Sequence, residues 1–477
     1  MNLTTKVAYN TFVQIFSKFT ATILGLLVVG ILTRYLGQAG FGKYTTIMAF
    51  LSLFGVIADL GLTLVTTQMI SQPGVDQNKV LNNLFSLRFF SALLILGLAP
   101  LAVWFFPYDV DVKIGVLIGT LSFFFISLNQ ILVGLFQNKL RMDKVSISEI
   151  LGRIVLFLAV VGVSYYNWGL LGAMVATVLA NAVNFFFHFF FSKKFIKIKF
   201  CFDWSYWGEI LKKSWPLATT IVLNLVYLKG DIIILSLVNS QEDVGIYGAG
   251  YKVIDVVVMI PFLFAGIVLP ILTFAWKNKE KERFKQIAQR SFNFMAILSI
   301  PLVIGSQFLA TEIMTIVAGP DYRTSGLILK ILVLATFFIF IGVIFSHIII
   351  AIDKQKKVIG IYVFTSITSL IGYFIFIPKY SYIGAAWMTV YSEAVIALLV
   401  FFYVWKYAIF VPNFVIFIKS LLASLAMAVL LYFIPSSFYS SLSGLCITLF
   451  VSMLTYFIFL YLFGGIGKRE LGYILNK

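Results

Sequence analysis

The sequence predicts an all-α polytopic membrane protein of about fourteen transmembrane helices, with two six-helix lobes related by a pseudo-twofold axis and two further C-terminal helices. Three observations predict this class. Hydrophobic residues make up 61% of the 477 residues and charged residues only 12%, whereas soluble domains have about 25% charged residues. The apolar residues form runs long enough to cross the hydrocarbon, for which a helix needs about 20 residues. Basic residues are concentrated in alternate short loops, as expected for the cytoplasmic side of a membrane.

Each predicted span is a long apolar run bounded by polar residues. In chain order, the spans are predicted at residues 8–32, 44–70, 81–106, 114–137, 146–166, 169–191, 215–238, 244–271, 290–310, 325–350, 357–377, 381–405, 412–434 and 442–463. The spans divide into an N-lobe (1–200), an interfacial linker (201–214), a C-lobe (215–408) and a last part with two spans and a tail (409–477). The linker belongs to a basic and aromatic segment, which is typical of chain lying along a membrane surface.

Weak internal similarity supports the division into two lobes. Phe41-Gly42-Lys43-Tyr44 opens the second span, and Val244-Gly245-Ile246-Tyr247 opens the eighth. Similarly, Gly172-Ala173-Met174 begins the sixth span and Gly384-Ala385-Ala386 the twelfth. Because each lobe holds six spans, both have the same orientation, so we expect the pseudo-twofold axis to run along the membrane normal.

The loop charges predict the orientation. Loops on one side carry 24 Lys and Arg residues and loops on the other carry 5, which predicts an inner (plasma) membrane protein with both termini in the cytoplasm. The net charge of +17 therefore reports orientation, and we expect no nucleic-acid partner. The two cysteines, Cys201 and Cys446, lie far apart, so we expect no disulfide and no metal site. No cofactor is expected.

The hairpin formed by the seventh and eighth spans holds four charged residues. Lys229 and Asp231 lie in its first helix, and Lys252 and Asp255 lie in its second. An ionised side chain near the bilayer centre costs about 2.5–3.5 kcal/mol, so each needs a partner or a wet cavity. We interpret this hairpin as lining a polar passage through the membrane.

Cationic side chains within the spans are the candidate substrate-binding residues. They are Lys18, Arg88, Arg153, Lys229, Lys252 and Lys330. Lys18 is the first choice, because it lies about ten residues into its span, roughly 15 Å of helix rise, and a lysine side chain is too short to reach the interface from there. It shares one helical face with Thr11, Gln14 and Thr22.

Acidic residues within the spans are candidate coupling or counter-ion groups. They are Asp59, Asp231, Asp255 and Glu393. Simple pairing is the alternative: Lys18 with a neighbouring acid, Lys252 with Asp255 at i,i+3 and Glu149 with Arg153 at i,i+4. Asp231 shares a stripe with Thr220, Asn224 and Tyr227, and Lys229 points about 200° away from it. His188 and His347, near span ends, are expected to be interfacial.

Several motifs together resemble the polysaccharide exporters and O-antigen flippases of the Wzx type. They are Arg34-Tyr35-Leu36-Gly37 with Gly42 and Tyr44, Asp59-Leu60-Gly61-Leu62, the segment 136–153, Asp231, and Gly245-Ile246-Tyr247-Gly248-Ala249-Gly250-Tyr251-Lys252. The resemblance covers about the first 400 residues and places the chain in a superfamily with multidrug exporters and the lipid II flippase. It implies two lobes facing each other in a V, alternating access, and undecaprenyl-diphosphate-linked oligosaccharide as cargo. A polysaccharide polymerase or glycosyltransferases are candidate partners, alongside membrane lipid.

The charges within the spans agree with that cargo. A diphosphate needs cations in a space of low dielectric, and sugar hydroxyls need a polar lumen. We therefore expect a flippase that moves the cargo from the cytoplasmic to the outer leaflet. The first alternative is a cation-coupled multidrug exporter, for which an acidic cavity would be expected. The second is a membrane-bound polymerase or ligase, which would need a long external loop with catalytic residues, so we expect no enzymatic activity.

Overall fold

The computed structural model describes the backbone of residues 3–70 and 76–465. The structure does not describe the side chains of residues 3–8, 11, 12, 15, 64, 67, 68 and 216–228. The predicted stripe residues Thr11, Thr220, Asn224 and Tyr227 are among them. The described chain is helical, with no β-strand in it. The thirteen helices of the described residues are α1 (Leu3–Asp59), α2 (Leu62–Ile70), α3 (Gln77–Ala102), α4 (Val110–Asn138), α5 (Met142–Tyr165), α6 (Gly169–Ser192), α7 (Trp204–Val238), α8 (Gln241–Lys277), α9 (Lys281–Ala318), α10 (Ser325–Ala351), α11 (Ile359–Ala408), α12 (Val415–Phe433) and α13 (Leu442–Leu462).

Eleven helical stretches within the described residues are long and apolar enough to cross a membrane. The all-α polytopic membrane class is therefore confirmed, whereas the count of fourteen spans is not. Two of the eleven stretches contain a residue with non-helical dihedral angles, Gly37 in α1 (φ 65°) and Ser381 in α11 (φ 47°). The predicted first and second spans lie on either side of Gly37, the predicted eleventh span ends before Ser381, and the twelfth begins at Ser381. Hydropathy predicts two separate spans in each case, whereas the backbone forms one helix that is kinked at Gly37 or at Ser381.

The predicted second span is itself interrupted. Leu60 (φ 49°) and Gly61 (φ 73°) both have left-handed backbone conformations between α1 and α2, a region that glycine adopts without steric cost. Asp59 ends α1, and its Oδ1 accepts hydrogen bonds from the backbone N–H of Thr63 (3.3 Å) and from its hydroxyl (2.5 Å). This side chain therefore replaces helical hydrogen bonds that are lost at the break.

The chain divides into two compact units, Met1–Gly248 and Ala249–Lys477. In the first unit, α1 packs against α3, α4, α5 and α7, and α6 packs against α4 and α5. A buried hydrophobic cluster of this unit includes Leu84, Phe85, Leu132 and Phe136. In the second unit, α10 packs against α9 and α11.

The unit boundary at Gly248 is later in the chain than the predicted lobe boundary at 214. α7 packs against α1, α2 and α3 within the first unit, although its sequence position assigns it to the second repeat. A packing unit and a sequence repeat need not coincide, so the predicted lobe boundaries remain a prediction. In the second unit, α12 and α13 cover one side of α9 through buried residues such as Leu309, Met427 and Tyr456.

Candidate functional site

A partly exposed ion pair joins α1 and α5. The Nζ of Lys18 lies 3.1 Å from each carboxylate oxygen of Glu149. Both side chains are accessible, 42% for Lys18 and 26% for Glu149, so the pair borders open space. Lys18 thus has the acidic partner that the sequence analysis gave as its alternative interpretation. The pair also leaves the ammonium group within reach of a ligand, so pairing and ligand binding are compatible here.

Polar contacts between α1 and α5 fix the register that brings Lys18 to Glu149. Asn10 donates from Nδ2 to the carbonyl oxygen of Leu140 (2.9 Å) and accepts from the backbone N–H of Met142 (2.7 Å). Further along, the Ser17 hydroxyl donates to the carbonyl oxygen of Ser146 (3.4 Å). Because the contacts advance in the same direction on both helices, α1 and α5 run parallel over this stretch.

Arg153 lies one helical turn beyond Glu149 on α5 and is exposed. Residues at i and i+4 are neighbours on a helix surface, so a second cation lies on the same face of α5 as the Lys18–Glu149 pair. The expected Glu149–Arg153 ion pair is not among the pairs of the described residues, since Glu149 is bound to Lys18 instead. Lys18, Glu149 and Arg153, here called the α1–α5 charge set, carry one net positive charge with two cationic groups accessible.

His188 of α6 borders this charge set. Its side chain is buried, at 1% exposure, one helical turn before the end of α6. Its Nδ1 bonds to the carbonyl oxygen of Asn184 (2.9 Å), and within the described residues its Nε2 has no hydrogen-bond partner. A Cβ on Gly152 of α5 would lie 3.0 Å from Cβ of Asn184, and His188 and Glu149 each lie about one helical turn from these contact positions. Sequence reasoning missed this proximity, because it arises from the packing of α5 on α6.

Arg88 lies in a different setting, with its side chain fully buried. Its guanidinium donates to Oδ1 of Asp59 (2.5 Å), to the carbonyl oxygen of Ser127 (3.0 Å) and to Oε1 of Gln130. The Thr63 hydroxyl lies 3.0 Å from the same Gln130 oxygen. Asp59 is thus the counter-ion of Arg88, at the break between α1 and α2. This arrangement offers no open face to a ligand. Its uncharged residues Thr63 and Gln130 were not predicted from the sequence.

The charged residues of α7 face different surroundings. Asp231 is fully buried and accepts a hydrogen bond of 2.5 Å from the Tyr247 hydroxyl of α8 and one of 2.7 Å from the Ile232 backbone N–H. Lys229 is partly exposed. The two residues therefore point apart, as the helical period predicts, and Lys229 is the accessible one.

Within the second unit, Lys252 and Asp255 form an i,i+3 pair with an Nζ–Oδ2 distance of 3.7 Å. Their side chains are 37% and 44% exposed, so their attraction is weakened by solvent. Lys330 of α10 is partly buried, and its backbone carbonyl oxygen accepts from Gln307 (3.2 Å). These cations remain candidates for ligand contact.

Glu393 differs from the other acids within the membrane-spanning helices. It is 8% exposed, and among the described residues no hydrogen bond or ion pair to its carboxyl group is found. Two neighbouring hydroxyls on the same helical hairpin, those of Thr365 and Ser369, also have no partner in the described part of the chain. Because α11 turns back at Ser381 and Gly372 lies against Met388, residues 365–369 are level with Glu393. This is a buried acid with unsatisfied polar neighbours.

Comparison with solved structures defines the class. The lipid II flippase MurJ in an inward closed conformation matches with a TM-score of 0.75, at 20% sequence identity, over 96% of this chain and 98% of that chain. A multidrug resistance MATE family transporter of the MOP superfamily in an inward-facing conformation matches with a TM-score of 0.66, at 14% identity, over 82% and 97% of the two chains. The fold is that of a two-lobe membrane transporter.

Comparison at the sequence level identifies the family. The profile of the polysaccharide biosynthesis protein family matches residues 7–276, and the MatE profile matches residues 216–375. Since the first match spans more than half of the sequence, the chain belongs to the polysaccharide biosynthesis protein family.

Two curated relatives accompany these matches. The capsular polysaccharide biosynthesis protein CapF of Staphylococcus aureus is 26% identical over 300 residues, which cover 61% of this chain and 74% of the relative. A Shigella flexneri protein named as an O-antigen transporter is 22% identical over 390 residues, which cover 78% and 91%.

Proposed function

We propose that this protein is a flippase that moves an undecaprenyl-diphosphate-linked oligosaccharide from the cytoplasmic to the outer leaflet of the inner membrane by alternating access. The observation that carries the proposal is the α1–α5 charge set, which holds two accessible cations inside membrane-spanning helices of a polysaccharide biosynthesis family member. The names of the two curated relatives and the fold of the lipid II flippase support the same class of cargo. Both termini lie in the cytoplasm in this proposal, as the loop charges indicate.

In the proposed mechanism, Lys18 and Arg153 hold the diphosphate. Lys18 is held at Glu149, and Arg153 follows one helical turn later on α5, so each cation can take one of the two linked phosphates. Charge pairing is strong in a space of low dielectric. Glu149 holds the Lys18 ammonium in place before the cargo arrives and competes with the diphosphate for it, so the bound anion can leave again. Lys229, Lys252 and Lys330 are further candidate contacts. Arg88 stabilises the break at Asp59 and does not contact cargo.

The membrane potential assists this direction of transport. With the cytoplasm negative, outward movement of an anion is favoured by about 2.3 kcal/mol per charge per 100 mV. The oligosaccharide hydroxyls require a wet lumen, since unpaired polar groups in hydrocarbon cost several kcal/mol each, whereas the polyprenyl tail remains in lipid.

A charge exchange tests the role of Lys18 apart from its role in packing. K18E/E149K restores an ion pair between α1 and α5 but moves the positive charge to the other helix. We expect the double variant to melt within a few degrees of wild type and to fail to complement a flippase-deficient strain. Retained transport would assign the pair to folding alone. R153M tests the second cation, and K279Q, on an exposed loop lysine, is the matched control that should transport normally.

Glu393 is our candidate for the coupling group. A carboxyl group in this buried position, with unsatisfied hydroxyls beside it, can take up a proton or a monovalent cation when cargo leaves. We expect E393Q to bind cargo normally but to lose the dependence of transport on the ion gradient in vesicles. An unchanged gradient dependence in E393Q would exclude this role.

A cation-coupled multidrug exporter is the second candidate function, favoured by the MatE profile match and the unpaired Glu393. A drug-resistance assay beside the complementation assay separates the two. Resistance conferred without complementation would replace the flippase assignment. The glycolipid that accumulates in the cytoplasmic leaflet when the protein is absent would identify the cargo directly, and polymerase or glycosyltransferase partners can then be sought through that glycolipid.

A further inference from the structure

Residues 193–215, the connection from α6 into α7, form a surface that is both basic and aromatic. Four lysines of its first part are all exposed: Lys193, Lys194, Lys197 and Lys199. The acids of the stretch are few. Asp203 is already paired with Lys79 through an Nζ–Oδ2 distance of 3.1 Å, which leaves Glu209 as the one acid of 193–215 without an ion pair among the described residues. The surface is strongly cationic.

Large apolar side chains are exposed between and beside these lysines. Phe200 and Phe202 are each 54% exposed, and Trp204 is 73% exposed. On the first turns of α7, the buried residues Trp207, Ile210 and Ser214 recur at i, i+3 and i+7. Exposed Trp204, Leu211 and Trp215 recur at i, i+7 and i+11 and form a second stripe, about 90° around the helix from the buried one. Aromatic and basic residues on one face are typical of a helix that lies in the membrane interface.

This surface is held in a defined shape by α3. Backbone N–H groups of Lys199, Cys201 and Asp203 donate to Asn82 (3.0 Å), Ser86 (2.8 Å) and Asn83 (3.3 Å) in turn. Asn83 also accepts from the indole N–H of Trp207 (3.1 Å). Since these polar residues recur along one stripe of α3, they secure an otherwise irregular segment.

We propose that residues 193–215 bind the headgroups of anionic phospholipids in the leaflet that meets the end of α6. The lysines supply the complementary charge, at a membrane surface where each lysine attracts anionic lipid. The exposed Trp204 and Trp215 insert at the headgroup level, where the amphipathic indole ring is favoured. A free protein partner would leave unexplained why the exposed stripe reaches Trp215, where the predicted span at residues 215–238 begins. This proposal is independent of the cargo.

Site-directed quenching in the full-length protein tests the proposal. A fluorophore is attached to S205C in a C201S/C446S background, because Ser205 is exposed between the aromatic residues. The protein is reconstituted with phosphatidylcholine that contains a small fraction of nitroxide-labelled phosphatidylglycerol or nitroxide-labelled phosphatidylcholine. We expect the labelled phosphatidylglycerol to quench several-fold more strongly, and K193Q/K194Q/K197Q/K199Q to make the two lipids equal.

The chain supplies its own control position. In a C201S background, the remaining thiol is the exposed Cys446 of α13, where both lipids should quench equally with or without the lysines. If the four-lysine variant does not reconstitute, high salt serves instead, because it screens exposed charges and should remove the phosphatidylglycerol preference at position 205. Three outcomes would overturn the proposal. They are equal quenching by the two lipids at position 205 when the four lysines are present, a phosphatidylglycerol preference that survives loss of the lysines, and the same preference at Cys446.

Discussion

Arg88 and Lys18 are both cations within membrane-spanning helices, but their surroundings give them different tasks. Arg88 has no exposed surface and donates to Asp59, Ser127 and Gln130. Lys18 keeps 42% of its side chain accessible beside Glu149. A saturated guanidinium can only hold helices together, whereas an accessible ammonium can exchange one anion for another. Burial and the number of hydrogen bonds therefore separate a structural cation from one that is accessible to a ligand.

Removing the Arg88 side chain should destabilise the protein strongly. R88M leaves Asp59 buried without its counter-ion, and breaking a buried pair costs about 3–5 kcal/mol. We expect a clear fall in melting temperature of the purified protein in detergent. R88M/D59N should recover part of the loss, because the uncompensated charge is then absent. The control R153M changes an exposed residue and should shift stability by no more than about 0.5 kcal/mol. An R88M protein that melts like wild type would contradict the structural role.

The sequence predicted which residues to examine at this scale but not their partners. Charges within apolar runs are visible in the sequence, so Lys18, Arg88 and Glu393 were found. The partner of Lys18 is 131 positions away, in a helix whose register is set by Asn10 and Ser17, and no local spacing encodes that contact. Local spacing instead favoured Glu149 with Arg153. Neutral groups such as Gln130 carry no signal of their own, since uncharged polar residues are common within these spans.

At the scale of elements, Asp203 connects the linker to α7. Its carboxylate accepts the backbone N–H of Tyr206 (3.1 Å) as the N-cap of α7 and pairs with Lys79 of α3. Both interactions favour the ionised form, so they hold the pKa of Asp203 below its ordinary value, the N-cap hydrogen bond most of all. One carboxylate thus starts the helix and fastens it to α3.

This cap should open in acid. Because the folded-state pKa of Asp203 is lowered, its stabilisation is complete above the unfolded value of about 3.9 and is lost as the pH falls through the lower folded value. Hydrogen exchange of residues 199–206, corrected for the intrinsic rate, should therefore accelerate below about pH 4. D203N should show no such acid step. The first turn of α13 is the internal control, since its cap, Ser441, does not titrate; an equal acid response there would point to general unfolding.

Two glycines of the repeated motif meet each other in the first unit. A Cβ on Gly42 would overlap the carbonyl oxygen of Gln241, and a Cβ on Gly245 would overlap that of Gln38. A Cβ on Gly42 would also lie 3.0 Å from the backbone nitrogen of Gly245, and a Cβ on Gly245 would lie 3.2 Å from the backbone nitrogen of Gly42. The similarity of residues 41–44 to 244–247 thus corresponds to a reciprocal crossing of α1 and α8, where small residues let the backbones approach.

Alanine at this crossing should force the two helices apart. We expect G42A and G245A to lower stability by about 1–3 kcal/mol, as overpacking does, with a visible loss in melting temperature. The matched control is G25A, also in α1, where a Cβ would meet no atom within 4 Å; alanine there should be neutral or stabilising, because it favours helix. If G42A were as stable as G25A, the close crossing would not be required for the fold.

At the scale of the whole molecule, composition and hydropathy predicted the all-α membrane class and located the helices, because the need to satisfy backbone polar groups in lipid leaves few choices. The breaks were harder to predict. Leu60 and Ser381 have positive φ angles, but neither is a glycine that would mark such a conformation in the sequence. Their conformations come from the packing of the helices on either side. The affiliation of α7 with the first unit, too, is set by packing and not by hydropathy.

The proposed alternating access requires contacts between the two predicted repeats to separate during each cycle, and the α1–α8 crossing is the contact we expect to open. A Cβ on Gly248 would lie 3.2 Å from Cβ of Thr45, so a separation of a few tenths of an ångström brings the pair to the roughly 3.5–4.5 Å that disulfides span. T45C/G248C in a C201S/C446S background should therefore cross-link under mild oxidation.

Transport by this variant should stop when the disulfide forms and return on reduction, measured as glycolipid translocation in vesicles. The single variants T45C and G248C, treated in the same way, should be insensitive to oxidant. Continued transport by fully cross-linked protein would mean that residues 45 and 248 stay together throughout the cycle, and the opening would then have to be sought at helices other than α1 and α8.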